Sequence, residues 1–297
     1  MPTLTVAPTA TSQLTAYHSL PSGNYVVYYA EISRDGETIF TDHVISVDGS
    51  VQRQISEGLA WRVASPDRRY VPFVQGTLIT LLDLEHSTTI DIPGTEACYY
   101  LDWSPDGIQL AVVCNDYDIK IISLSDGTSK LLLSDPDKLP TISGYSDLRW
   151  SPDGKWLAYY RWNASPPGDA VSVMVMDLSC VSDATHCIDK TYQLFTVLWH
   201  VSMTWTPGGH LAIIRDPFTD GHIISIYEIR NNNPVLLQTL HADRQAGRIT
   251  GMAWSPDDKW VAVNQEDGEG ILLLPVSGGE PIRLEVPGTV ETWLIVP

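Results

Sequence analysis

Five segments of the chain share one hydropathy pattern: a tryptophan or small apolar residue, a polar turn built on proline, then an apolar run of strand length. They are "ASPDRRYVPFV" from Ala64, "WSPDGIQLAVV" from Trp103, "WSPDGKWLAYY" from Trp150, "WTPGGHLAIIR" from Trp205 and "WSPDDKWVAVN" from Trp254. Between these turns the residues alternate apolar and polar or run apolar over short stretches, which is strand behaviour. No long apolar face of helical period interrupts them.

The turn prolines Pro66, Pro105, Pro152, Pro207 and Pro256 are joined by Pro21 of "SLPSGNYVVYYA", giving spacings of 45, 39, 47, 55 and 49. A second turn follows each first one: "SVDGSV", "LEHSTT", "LSDGTS", "SCVSDATHC", "IRNNNP" and "VSGGEP". Each repeat therefore reads as two hairpins, and repeats of this length with four short strands are propeller blades. The expected fold is an all-β, six-bladed β-propeller of four-stranded antiparallel blades, at about 14–56, 57–96, 97–144, 145–197, 198–247 and 248–297, after a Thr/Pro-rich linker at 1–13. The closing "VETWLIV", Val290 to Val296, is expected either to complete the ring or to start a truncated seventh blade.

Turn chemistry explains the motif. Proline presets the first corner of a type I turn, aspartate suits the second, and the next residue needs positive φ, so glycine belongs there. It is Gly23, Gly107, Gly154 and Gly209, with Asp258 tolerable and Arg68 the exception. A three-residue loop would pair Ser104 with Ile108 and set Trp150 opposite Trp156 and Trp254 opposite Trp260, as aromatic pairs in the core.

Composition agrees with this reading and narrows the partners. Ten Trp and 13 Tyr stand against 4 Phe, with 21 Gly and 20 Pro, as many short strands and turns require. The formal net charge of −18 disfavours nucleic acid and anionic membrane as partners. No run approaches the roughly 20 apolar residues of a membrane span, and the N-terminus lacks the basic and apolar regions of a signal peptide. The tract "PTLTVAPTATSQ", Pro2 to Gln13, reads as a linker, so an anchoring segment upstream of this chain is expected.

These repeats resemble the WD-like repeats of the TolB-like family of six-bladed propellers, and those of the propeller domains of prolyl-oligopeptidase-type enzymes, over about Leu14 to Leu284. The resemblance implies a disc of radial blades whose short inner strands line a central channel. It leaves function open, because such repeats serve unrelated partners.

Counting outward from the Ser104 turn places Cys98 opposite Cys114, within disulfide reach, and Cys180 and Cys187 bracket a second hairpin. Two local pairs from four cysteines point to an oxidising, extracytoplasmic compartment, periplasmic or cell-surface. Neither pair has the spacing of a structural zinc site.

The proline turns lie on one face of the disc, here called lower, and the loops between second and third strands lie on the upper face. These upper loops, "EISRDGE", "CNDYDIK", "YRWNASPPGDA", "RDPFTDGH" and "NQEDGEG", are the more varied, and variable loops on a rigid scaffold are where binding resides. Tyr160, Arg161 and Trp162 are the leading contact residues, since they offer stacking and a fixed cation. The same register pairs His200 with Asp216, Arg248 with Glu266 and Tyr145 with Arg161. Ser202 lies near His200, but nothing resembles a nucleophile elbow or an oxyanion hole, so no catalytic residue is assigned.

Asp116 and Asp118 in one upper loop, with Glu266 and Asp267 in another, could share Ca2+ over the channel, which the TolB-like resemblance allows; no other cofactor is expected. The expected function is a non-enzymatic module that binds a protein or peptide through this face and the channel mouth. The alternatives are a propeller-type polysaccharide lyase, which needs a metal site that His43, His200 and His222 would have to build, the regulatory propeller of a peptidase, or a small-molecule sensor ectodomain.

Overall fold

The structure, a computed structural model, describes residues 20–34, 36–57, 64–75, 77–86, 88–134, 144–162, 170–181, 187–198, 202–214, 223–242, 249–265 and 270–296. It is an all-β propeller of six antiparallel blades. The first blade holds β1 (Gly23–Arg34), β2 (Glu37–Ser46) and β3 (Gln52–Glu57), and the second β4 (Tyr70–Gln75), β5 (Leu78–Asp83) and β6 (Thr88–Asp91). The third holds β7 (Cys98–Trp103), β8 (Gln109–Cys114), β9 (Asp118–Ser123) and β10 (Ser129–Ser134). The fourth holds β11 (Gly144–Trp150), β12 (Trp156–Trp162), β13 (Ala170–Asp177) and β14 (Thr191–Leu198). The fifth holds β15 (Met203–Trp205), β16 (Leu211–Ile214), β17 (Ile223–Arg230) and β18 (Asn233–His241). The sixth holds β19 (Ile249–Trp254), β20 (Trp260–Gln265), β21 (Ile271–Pro275) and β22 (Ile282–Leu284).

The last strand, β23 (Thr289–Val296), pairs with β1 and makes the first blade four-stranded in the order β23-β1-β2-β3. The end of the chain therefore closes the ring, and it belongs to the first blade rather than to the sixth or to a seventh. In the second blade β4, β5 and β6 lie within the described residues, while 58–63, ahead of the Ser65 turn, lie outside them. The linker at 1–13 also lies outside.

Serine and aspartate build the lower turns together. The Ser104 amide donates to the Gln109 carbonyl at 2.9 Å, and the Gly107 amide to the Ser104 carbonyl at 2.9 Å. The Ser104 hydroxyl donates to Asp106 Oδ1 at 2.5 Å and accepts the Gln109 amide at 2.9 Å, while Asp106 Oδ1 accepts the Ile108 amide at 3.1 Å. The same device recurs at Ser65/Asp67, Ser151/Asp153 and Ser255/Asp257, and at the second turn of the first blade with Ser46/Asp48. Side-chain oxygens thus satisfy the amides that a tight turn leaves without strand partners.

This device also lengthens the turn. Ser104 pairs with Gln109 and encloses four residues, whereas Thr206 pairs with His210 and encloses three. Trp150 accordingly faces Leu157 and Trp254 faces Val261, and the expected Trp–Trp pairs do not form. Trp150 packs with the cluster between the third and fourth blades and Trp156 with the one between the fourth and fifth. A one-residue register change moves a side chain to the other face of its sheet.

Most of the core lies between blades. Leu157, Tyr159 and Met176 of the fourth blade meet Ala111, Val113 and Ile119 of the third. Polar bonds tie the inner strands across these seams: Trp205 Nε1 donates to the Arg149 carbonyl at 2.9 Å, and Trp293 Nε1 to the Ala253 carbonyl at 2.8 Å. Asp102 Oδ2 accepts the Trp150 amide at 2.6 Å, and Asn264 Oδ1 accepts the Val290 amide at 2.6 Å. The helical segments among the described residues are two short 3-10 turns, Leu178–Val181 and Cys187–Lys190. No helix among them is long and apolar enough to cross a membrane.

Both expected disulfides are present, Cys98–Cys114 with Cα atoms 3.9 Å apart and Cys180–Cys187 at 5.4 Å. The first forms for a reason other than the one anticipated. The longer turn alone would set Cys98 opposite Asn115, but a bulge between Cys98 and Leu101 takes up one residue and restores Cys98 to Cys114. A bulge between Ser146 and Arg149 likewise returns Tyr145 to Arg161.

Candidate functional site: the channel and its upper mouth

Inner strands converge on the axis and leave a cavity of about 480 Å3. Its wall takes Asp102 from β7, Asp147 and Arg149 from β11, Thr204 from β15, Thr250 from β19 and Glu291 from β23. Five inner strands thus contribute a polar or charged side chain, while their tryptophans Trp150, Trp205 and Trp254 border the cavity toward the turns. Asp102 is committed to the Trp150 amide. Arg149 donates to the Leu148 carbonyl at 2.7 Å and lies 3.6 Å from Asp147 Oδ1.

Bulges aim several of these groups. In β7, β11, β19 and β23 the inner strand carries one residue more than its neighbour near the upper end. The bulged segments contain Tyr99 and Tyr100, Asp147, Thr250 and Glu291, and the last three line the cavity. A bulge bends its strand and redirects a side chain. Asp147 adopts φ 52° there, and nearby Ala97, Asn115 and Asp116 have φ of 56°, 53° and 65°. Among the described residues, the remaining non-glycine positions of this kind, Arg68, Asn231, Asn232 and Asp258, sit in lower turns.

The upper side between the third and fourth blades is aromatic and cross-tied. Tyr99 and Tyr100 are 44% and 43% exposed, directly after the buried Cys98–Cys114 disulfide. The Tyr145 amide donates to the Asp116 carbonyl at 2.9 Å, joining the loop after β8 to β11. Partial burial raises the Tyr100 phenol, and the carboxylates of Asp147 and then Asp116 add to it. Tyr99, Tyr100, Asp102, Asp147, Arg149 and Glu291 were not singled out by sequence reasoning.

The residues that were singled out fare differently. Tyr160 is not a rim residue: it is fully buried between the fourth and fifth blades, and burial holds its phenol far above the ordinary range. Both faces of β12 are covered over 157–160, Tyr159 packing toward the third blade and Tyr160 toward the fifth, and Arg161 and Trp162 are half-buried only because they lie at the end of the strand. Trp162 packs against the same cluster and donates Nε1 to Ser146 Oγ at 3.1 Å. His200, Asp216, His222, Arg248, Glu266 and Asp267 lie outside the described residues.

Asp118 accepts the Ser134 hydroxyl at 2.7 Å, and Asp116 and Asp118 share no group of three converging ligand atoms among the described residues. His43 stacks on Tyr28 with ring centres 5.2 Å apart, and its Nε2 lies 2.9 Å from Thr41 Oγ1; burial lowers its pKa. A converging group does occur on the lower face, at Asp83, Glu85 and His86. There the Arg69 guanidinium takes the cation position, donating to Asp83 Oδ2 from Nη2 at 2.9 Å and Nε at 3.2 Å, and the Asp83 carboxyl is held well below its usual range.

Comparison with known proteins agrees with the fold. The WD domain, G-beta repeat matches residues 234–269, from β18 through β20. No curated protein matches. Among solved structures, the Myceliophteria thermophila Cps50 (Swd1) β-propeller domain is 14% identical, with TM-score 0.54 over 91% of this chain and 88% of its own. Kuenenia stuttgartiensis hydrazine synthase is 15% identical, with TM-score 0.53 over 81% of this chain and 73% of its own. An oligogalacturonate lyase in complex with manganese is 11% identical, with TM-score 0.55 over 89% and 73%. At these identities the likeness is one of fold.

Proposed function

We propose that this propeller is a non-enzymatic, extracytoplasmic binding module of TolB-like type, which takes a protein or peptide partner on its upper face at the channel mouth. The observation that carries the reading is the exposed pair Tyr99–Tyr100, set on a bulge beside a buried disulfide in the strand whose Asp102 lines the polar channel. Exposed tyrosines on a rigid frame lose little conformational freedom on binding and dominate interface energetics. The two disulfides support an oxidising compartment. β1 begins and β23 ends at the lower turns, where Gly23 pairs with Val296, so a tether joined to either end would leave the upper face directed outward.

Affinity capture from the compartment's own protein fraction tests this, comparing the unchanged protein with Tyr99→Ser/Tyr100→Ser. The expected outcome is a partner retained by the former and lost by the latter at an unchanged melting temperature. Retention by both, with loss following a lower-turn change such as Asp153→Ala in a folded protein, overturns it.

A further inference from the structure

We propose that the mouth selects a cationic side chain, a lysine or arginine of an extended partner segment, seated against Tyr99 and Tyr100 with its charge directed to Asp147. The proposal rests on the reading of the upper face as a binding surface and adds the chemistry of the occupant. Three observations lead to it.

First, the described channel wall carries three carboxylates, Asp102, Asp147 and Glu291, against one guanidinium, Arg149. Asp116 adds a fourth acid within electrostatic reach of Tyr100. Second, the carboxylates come from three different blades around a cavity of about 480 Å3 instead of converging on one point. That spacing suits an elongated organic cation, whereas a metal ion needs ligand atoms gathered within a few ångströms. Third, Tyr100 is exposed and lies within electrostatic reach of the wall carboxylate Asp147, with exposed Tyr99 next to it in the same bulge, and an aromatic face attracts a cation most strongly once water is displaced.

Arg149 shows that this wall already accommodates a guanidinium, held between the Leu148 carbonyl and Asp147. The net charge of −18 would draw a basic segment toward the molecule at long range, and the mouth would then fix its position.

Fluorescence polarisation can test the proposal with three labelled peptides of equal length, identical except for lysine, glutamine or glutamate at alternate positions. The proteins are the unchanged chain, Asp147→Asn and Tyr99→Ala/Tyr100→Ala; asparagine tolerates the positive φ at 147, so the fold is retained. The lysine peptide is expected to bind about tenfold more tightly than the glutamine peptide, and Asp147→Asn to remove most of that advantage.

Equal binding of lysine and glutamine peptides, both lost in the tyrosine variant, overturns cation selection while leaving the binding-module reading intact. A lysine preference that survives both variants reduces to general attraction by the acidic surface and also overturns it. Peptide binding at the upper face that ignores the tyrosine pair overturns the underlying reading, and absence of any lysine-peptide binding overturns the selection.

Discussion

Arg68 adopts φ 59° at the turn position that glycine fills in the sister repeats, where Gly107 and Gly154 have φ 72° and 74°. Its guanidinium Nη2 donates to the Trp293 carbonyl at 2.8 Å, linking the second blade's turn to the strand that closes the ring. A left-handed arginine costs about 1 kcal/mol relative to glycine, and a charged donor on a carbonyl returns about 1.5–3 kcal/mol, less where half-exposed. Arg68→Ala keeps the strain and loses the bond, so it should destabilise by about 1–2 kcal/mol. Arg68→Gly should be nearly neutral, and urea denaturation in which it is the worse variant would contradict this assignment. Asp48 is a second residue with its own readout. Its carboxyl is lowered to about 2, first by the Ser46 hydroxyl and then by the Ser50 hydroxyl and amide. An unfolded aspartate titrates near ~3.9, so the contribution of Asp48 is complete above that pH and is lost as pH falls through about 2. NMR titration should find the Asp48 carboxyl near that value and raised in Ser46→Ala; an unmoved titration would remove the serine from the account.

At the scale of elements, repeat number, strand type and turn position were legible because proline, aspartate and positive-φ glycine act locally and leave their identities in the chain. Register was legible only in part. The Ser–Asp device adds a fourth residue to the loop, and the bulges that compensate have no residue signature: Tyr99, Asp147 and Thr250 look like ordinary members of alternating strands. A bulge answers a tertiary demand, here the convergence of inner strands on an axis, which one strand's sequence does not record. The expected cysteine pairing is met because the bulge offsets the longer turn, whereas the channel wall, which the bulges aim, could not be read. Tyr160 is misplaced for a different reason: neighbouring blades cover both faces of β12 over 157–160, so its position along the strand buries it whichever side it takes. The bulged hairpin β7–β8 gives a prediction of its own. The disulfide closes a loop with sequence separation 16, for which crosslinking is worth about 3 kcal/mol. Cys98→Ala/Cys114→Ala should lower stability by about that amount and speed amide exchange at Tyr99 and Tyr100; protection there equal to the oxidised protein would show that the bulge holds without the bridge.

For the whole molecule, the decisive contact is the seam where β23 joins β1 and the chain's end meets its beginning. Val290 and Trp293 pack with Val26 and Tyr28 of the first blade and with Ala262 and Leu273 of the sixth, so the seam strand shares a core with both neighbours. Its approach is set by Gly288, at φ 150°, where a Cβ would lie 2.7 Å from the Tyr28 ring and closer still to the Tyr29 carbonyl oxygen. Gly278, in a lower turn at φ 82°, has nothing within 4 Å of the same added atom. Both substitutions to alanine strain the backbone, by about 1 kcal/mol, but only Gly288→Ala also forces β23 away from β1. A ring cannot adjust one seam without loading the others, since each blade's apolar faces are completed by its neighbours. Gly278→Ala should therefore lower the melting temperature slightly and leave a monomer. Gly288→Ala should lower it several times further and expose the inner edge of β1, an unpaired strand that recruits other chains, visible as higher-mass species in size-exclusion chromatography. Equal melting temperatures for the two variants, both monomeric, would mean that the ring tolerates an open seam and that closure by β23 is not what holds the disc together.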